Sequence, residues 1–147
     1  MDSLISSGRP EYLIESGKKR FRLQEPLLFQ FDGKTIIVPA GFTCDLASVP
    51  SLFFWWRWGK YNISAIVHDY NYIFQEVLYL GDGSGSSPDI RVEKITRTQS
   101  DRLFWQLNRV LGVNPLVNYL MWLAVRLGGW FYWERSRQHF TQDRNSL

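Results

Sequence analysis

The residues best suited to chemistry are His68 and Asp69, adjacent in the run Ala65-Ile-Val-His68-Asp69-Tyr70-Asn71-Tyr72. Neighbours on a helix diverge by about 100°, so the two side chains suit adjoining tasks rather than one shared atom. An imidazole can take a proton from water, and a carboxylate can hold a hard cation such as calcium. Tyr72 falls four residues after His68 and three after Asp69, on the adjoining helix surface, where its hydroxyl can steady a carboxylate. Asp101 is the candidate for that carboxylate. It opens the face continued by Phe104, Leu107 and Leu111, at a position where an apolar residue is expected. A carboxylate set against an imidazole fixes its tautomer and stabilises the imidazolium. The pattern therefore reads as a hydrolase, calcium-dependent or metal-free. His68 is the general base, Asp101 and Tyr72 stand behind it, and Asp69 with Asp45 serves as the candidate cation site.

Each of these residues also has a plainer reading. His68, Asp69 and Asp101 can form a buried structural network in a non-enzymatic protein. Asp45 and Ser48 can cap the turn that follows them, since both types bond readily to nearby backbone N–H groups. Asp101 can be the acid of a capping box, Thr98-Gln-Ser-Asp101. Arg126, inside an apolar helix, can pair with a buried acid or recognise an anion. Exposure separates the readings for His68. A catalytic base must open onto a cleft, whereas a structural histidine is sealed by Trp55, Trp56 or Tyr72. With two His (His68, His139) and one Cys (Cys44), a zinc centre of several His or Cys ligands is excluded. Cys44 reads as a small loop residue.

The elements that must position these residues follow from period and punctuation. Tyr12–Ile14, Phe21–Leu23, Leu27–Phe31 and Thr35–Val38 are short runs rich in β-branched and aromatic residues. Asp32-Gly33 between the last two predicts a hairpin, and Pro39 ends the ladder. A loop over 40–50 leads to the aromatic cluster Phe53, Phe54, Trp55, Trp56 and Trp58, read as core and lid packing. From about Asn62, Ile63, Ile66, Val67, Tyr70, Phe74 and Val77 recur at helical spacing, predicting a helix to about Tyr79. The Gly/Ser-rich stretch Gly81–Asp89 reads as a flexible connection. A second helix is expected from Thr98 to Gly112. A third opens at Asn114-Pro115 and runs to Leu127, where Gly128-Gly129 breaks it. The expected fold is α+β, an N-terminal antiparallel β-sheet and hairpin followed by a three-helix unit. One domain covers 1–147, with a β part over about 10–40, a helical part over about 51–133 and a fraying polar tail over 134–147.

Composition narrows the partners. The 147 residues are 45% hydrophobic and 16% aromatic, ample for a core and unlike a disordered chain. The net charge of +3 is spread out, and Lys18-Lys19-Arg20 is too short a run for a nucleic-acid stripe. The first residues show no signal peptide, and one Cys fits a reducing compartment. The predicted helix Pro115–Leu127 spans roughly 20 Å, short of the ~20 residues a membrane crossing needs. An interfacial role for Trp122, Trp130, Phe131, Tyr132 and Trp133 at a lipid surface stays open.

Two resemblances add to this reading. His68-Asp69-x-x-Tyr72 with Asp101 on a second helix resembles the secreted calcium-dependent phospholipases, especially their small bacterial and fungal branch. That resemblance implies that His68 activates water, Asp69 binds calcium, and Tyr72 and Asp101 support His68, with a phospholipid or a related ester or amide as substrate. Here Gly41 and the Asp45–Pro50 loop stand where those enzymes have a glycine-rich calcium loop, and their disulfides have no counterpart. The second resemblance covers most of the chain. The order Asp32-Gly33, Val38–Phe42, Asp45–Pro50, Trp58–Tyr61, His68–Tyr72, Asp101–Phe104 and Ala124–Gly129 looks like a family of small phage and prophage proteins classed as a domain of unknown function. The Gly81–Ile95 loop looks like an insertion relative to it. This likeness implies a place in the host cytoplasm or virion, with other phage proteins or a host factor as partners. An assembly component is the non-enzymatic alternative to the hydrolase.

Overall fold

The computed structural model describes residues 1–44, 61–81 and 89–145. Their fold is α+β, with eight strands and three helices. The strands are β1 (Ser3–Ser7), β2 (Pro10–Glu15), β3 (Lys18–Leu23), β4 (Leu27–Phe31), β5 (Lys34–Val38), β6 (Thr43–Cys44), β7 (Glu76–Leu80) and β8 (Ile90–Lys94). The helices are α1 (Tyr61–Phe74), α2 (Arg97–Val110) and α3 (Pro115–Asn145). Five strands form one antiparallel sheet in the order β1-β4-β5-β7-β8, and β2, β3 and β6 form a second.

The β4–β5 hairpin forms where expected. Asp32 and Gly33 take φ of 49° and 71°, the left-handed values that a tight two-residue hairpin turn requires. Along β4, Leu27 and Phe29 are fully buried while Leu28 and Gln30 are only partly so, the period-two signature of a sheet with one face on the core. Ile36 and Val38 continue that face on β5, and Ile63, Ile66, Val67, Leu103, Phe104 and Leu107 meet it from the helices in one cluster.

β1 and β6 lie outside the expected runs, and four further elements differ from expectation, each for a local reason. The first helix stops at Phe74 rather than Tyr79. Gln75 turns left-handed at φ 54°, and Val77-Leu-Tyr-Leu80 leaves as β7, pairing with β5 through Thr35↔Leu80 and Ile37↔Leu78. Val77 happens to fit both periods, so spacing alone did not separate them. β8 lies within the stretch read as a loop. It is an exposed edge strand, so it carries no alternating burial signal. α2 begins at Arg97 and its cap is Thr96, whose side chain and that of Gln99 bond reciprocally to each other's backbone N–H. Asp101 is therefore not the capping acid. Finally, α3 passes unbroken through Gly128-Gly129 and through the expected polar tail to Asn145.

Every residue of α1 from Ile63 to Tyr72 is buried, as befits a helix covered on all sides. It packs against α2, α3, β6 and β7. Polar rungs join the helices. The Ser64 hydroxyl donates to Asn108 Oδ1, Asn108 Nδ2 donates to Asn118 Oδ1 at 3.0 Å, and Asn118 Nδ2 donates to the Trp105 carbonyl at 2.9 Å. All three side chains are buried. Among the described residues, no helix is long and apolar enough to cross a membrane.

Candidate functional site

α1 and α2 bring the predicted dyad together. His68 Nε2 lies 2.9 Å from Asp101 Oδ1, and the Tyr72 hydroxyl donates to the same oxygen at 2.5 Å. The other carboxylate oxygen accepts from Arg126 Nη1 of α3 at 3.0 Å. Arg126 also donates to Thr98 Oγ1, and its own carbonyl accepts from Arg97 Nη1. Asp101 thus gathers three donors from two helices: an imidazole and a phenol from α1, a guanidinium from α3. The sequence offered Arg126 either a buried acid or an anion; the structure gives it Asp101.

The imidazole is held by rings as well as by the carboxylate. Tyr72 stacks at 4.1 Å and Phe104 at 5.0 Å between centroids, while Trp133 meets Tyr72 edge-on at 5.1 Å. His68 is 1% exposed and Asp101 0%. A base open to a cleft was the expectation for catalysis, so this burial is the feature that favours a structural role. The other proposed lids, Trp55 and Trp56, lie outside the described residues, as do the rest of the aromatic cluster and Asp45 with its loop. Asp69 is 5% exposed, on the same helix. Among the described residues no three His, Cys, Asp or Glu side chains cluster as a metal group.

Burial pushes the His68 imidazole below its ordinary value, against the opposing pull of Asp101. For Asp101, burial alone would raise the carboxyl. Hydrogen bonds from His68 and Tyr72, with Arg126, outweigh it and hold the group below the usual carboxylate range. Burial, with the Asp101 hydrogen bond, raises the Tyr72 phenol. The resulting state at neutral pH is an ionised Asp101 facing a neutral His68. An ionised carboxylate has no proton to give, so Nε2 carries the hydrogen and Nδ1 keeps its lone pair. Nδ1 has no hydrogen-bond partner among the described residues. The buried Asn71 amide and Ser100 hydroxyl share that condition, and nothing in their types singled them out in the sequence.

This arrangement sets a pH dependence. His68 binds a proton more weakly folded than unfolded. Its contribution to stability is therefore complete above the unfolded value of about 6.5 and declines as pH falls below it, by at most about 1.4 kcal/mol per unit. Asp101 adds a second loss below its ordinary 3.8. Thermal melts from pH 7.5 to 4.5 are expected to fall, and His68→Gln is expected to flatten that fall, with His139→Gln as control. A wild-type melting point that stays level from pH 7 to 5 contradicts the assignment.

Gly129 explains why α3 is not broken by its glycine pair. A Cβ there would lie 2.5 Å from the Tyr72 hydroxyl, which Asp101 fixes in place, so glycine is what lets α3 approach. Gly128 has open space around its Cβ position. Gly128→Ala is expected to stabilise the helix by up to about 1 kcal/mol. Gly129→Ala is expected to destabilise the protein despite the same propensity gain. Equal melting shifts for the two variants would show that the approach to Tyr72 is not tight.

Residues 21–125 match the family described as Protein of unknown function (DUF1353), and the chain belongs to it. No curated protein and no solved structure matched the chain.

Proposed function

We propose that this DUF1353 chain is a hydrolase of esters or amides, phospholipid-like substrates included, in which His68 is the general base. The observation that carries the reading is the orientation of the imidazole. Its Nε2 is committed to a buried carboxylate that Tyr72 and Arg126 also hold, and its Nδ1 keeps a lone pair with no partner among the described residues. In the proposed reaction Nδ1 takes a proton from water as the water oxygen bonds to the carbonyl carbon. The imidazolium, stabilised by Asp101, then returns that proton to the leaving oxygen or nitrogen as its bond to carbon breaks. Asp101 and Tyr72 act through His68 as positioning residues.

Calcium is part of the proposal as a cation held by Asp69 with Asp45, and no step is routed through it. The phage or prophage setting, in host cytoplasm or virion, rests on the motif order read in the sequence. The experiment is a panel of esters, amides and phospholipid vesicles, assayed with added calcium and with chelator, beside calcium calorimetry. Turnover on at least one substrate is expected, together with calcium binding that Asp69→Asn abolishes. No turnover removes the enzyme; no heat and no thermal shift with calcium removes the cation alone.

A second reading has its own support, the 1% exposure of His68. In it the chain is a non-enzymatic virion, assembly or host-factor-binding protein, and the His68-Asp101-Tyr72-Arg126 cluster fastens three helices together.

A further inference from the structure

Among the described residues, nothing covers one face of α3. Leu116, Leu120, Leu127 and Trp130 expose 68%, 43%, 77% and 61% of their surface, and Leu123 between them is half-buried. Tyr119 and Phe131 flank the line at 52% and 63%. The opposite face of the same helix is spent on the core, with Val117, Met121 and Val125 buried. The exposed residues are therefore not spill-over from the core; they form a stripe of their own, flanked by Arg126, the one charged residue from Leu116 to Phe131.

The spacing of that stripe is specific. Leu116, Leu120, Leu123, Leu127 and Trp130 are separated by four, three, four and three residues. This alternation is the a/d pattern of helices that pair along a seam, where each knob enters a hole on the facing helix. We propose that α3 pairs with α3 of a second copy of this chain along this seam, making the protein a homodimer. The area is sufficient. The exposed side chains offer roughly 700 Å² per copy, so a pair can bury at most about 1,400 Å², against the ~1,200–2,000 Å² of stable interfaces. An apolar patch this large on an isolated monomer is unusual. The same face fits a lipid surface less well. The next position on the line is the acid Glu134, which an anionic lipid surface repels, although α3 also carries Arg126, Arg135, Arg137 and Arg144, the residue type that typically frames interfacial helices. The proposal is independent of the hydrolase reading, because His68, Tyr72 and Asp101 are buried on the covered side.

Sedimentation equilibrium of the full chain tests it. At ~100 µM, well above the micromolar limit usual for interfaces of this area, the wild type is expected at twice the 17.3 kDa of the chain. Leu127→Glu and Leu127→Lys, each at an exposed position, are expected to sediment as monomers with helical content unchanged by circular dichroism. Mixing the two variants is expected to recover the dimer through opposite charges at the seam. A wild type that stays monomeric overturns the proposal. So do a Leu127→Glu chain that remains a dimer, which would place the interface elsewhere, and an equimolar mixture that stays monomeric. Flotation with phosphatidylglycerol and phosphatidylcholine vesicles adds a further outcome. A monomeric wild type that floats with vesicles, and a Leu127→Glu variant that does not, would assign the face to lipid and overturn pairing.

Discussion

Replacing Asp101 with Ala is expected to lower the unfolding free energy by about 3–5 kcal/mol, the usual loss when one partner of a buried charged cluster is removed. Three donors converge on this carboxylate. Without it the buried His68 Nε2–H and Tyr72 hydroxyl lose their acceptor, and each stranded group costs roughly 1–3 kcal/mol. Arg126 is better off, since its side chain keeps 29% exposure and a bond to Thr98. In a chain of this length each kcal/mol moves the melting point by about 2–4 °C, so a drop on the order of 10 °C is expected. Asp101→Asn keeps the shape and one good acceptor and is expected to fall between Ala and wild type. Thermal and urea melts measure both. A loss below about 1 kcal/mol for Asp101→Ala would show that the carboxylate is not the centre of the cluster.

The second large effect is catalytic. His68→Gln is expected to reduce turnover by about 10²–10⁴-fold, the usual share of a general base, while keeping stability within about 1 kcal/mol of wild type. Glutamine is chosen because its Nε2 can still donate to Asp101, yet it has no ring lone pair with which to deprotonate water. His68→Ala is less informative here. It removes a side chain packed between Tyr72 and Phe104, so it leaves a cavity and costs stability under either reading. The comparison that separates the readings is wild type against His68→Gln on the same substrate. Equal turnover would leave His68 without a catalytic role. A wild type with no turnover on any substrate would leave His68 with its place in the structural cluster alone.

The parts of the site that sequence reading captured are those governed by helical geometry. His68 and Tyr72 share a face because four residues make about one turn. Asp101 stood out because an acid began a face of Phe104, Leu107 and Leu111. Arg126 was anomalous inside an apolar run, but its partner was not readable, since nothing local ties α3 to α2 across 25 residues. In the fold, Asp32-Gly33 announced its hairpin because few sequences accept two consecutive left-handed residues. The turn at Gln75 gave no such notice. A non-glycine residue adopted the left-handed value, and the apolar run after it was pulled into the sheet by the free edge of β5 rather than by its own preference. The glycines of α3 misled for the converse reason. Their meaning lay in Tyr72, a residue 57 positions away, and not in their effect on the helix that holds them.

The two polar levels between the helices have a consequence for alignment. Ser64 and His68 are one turn apart on α1, Asn108 and Asp101 two turns apart on α2, and Asn118 and Arg126 about two turns apart on α3. An apolar seam tolerates sliding, because a leucine displaced by one turn meets another leucine. Here a slip of α2 by one turn, about 5.4 Å, would break the Ser64–Asn108 level and the His68–Asp101 level together. The stranded groups would be buried without partners. The cluster therefore acts like a key with two notches: it favours one axial setting of the three helices, because every neighbouring setting strands buried polar groups.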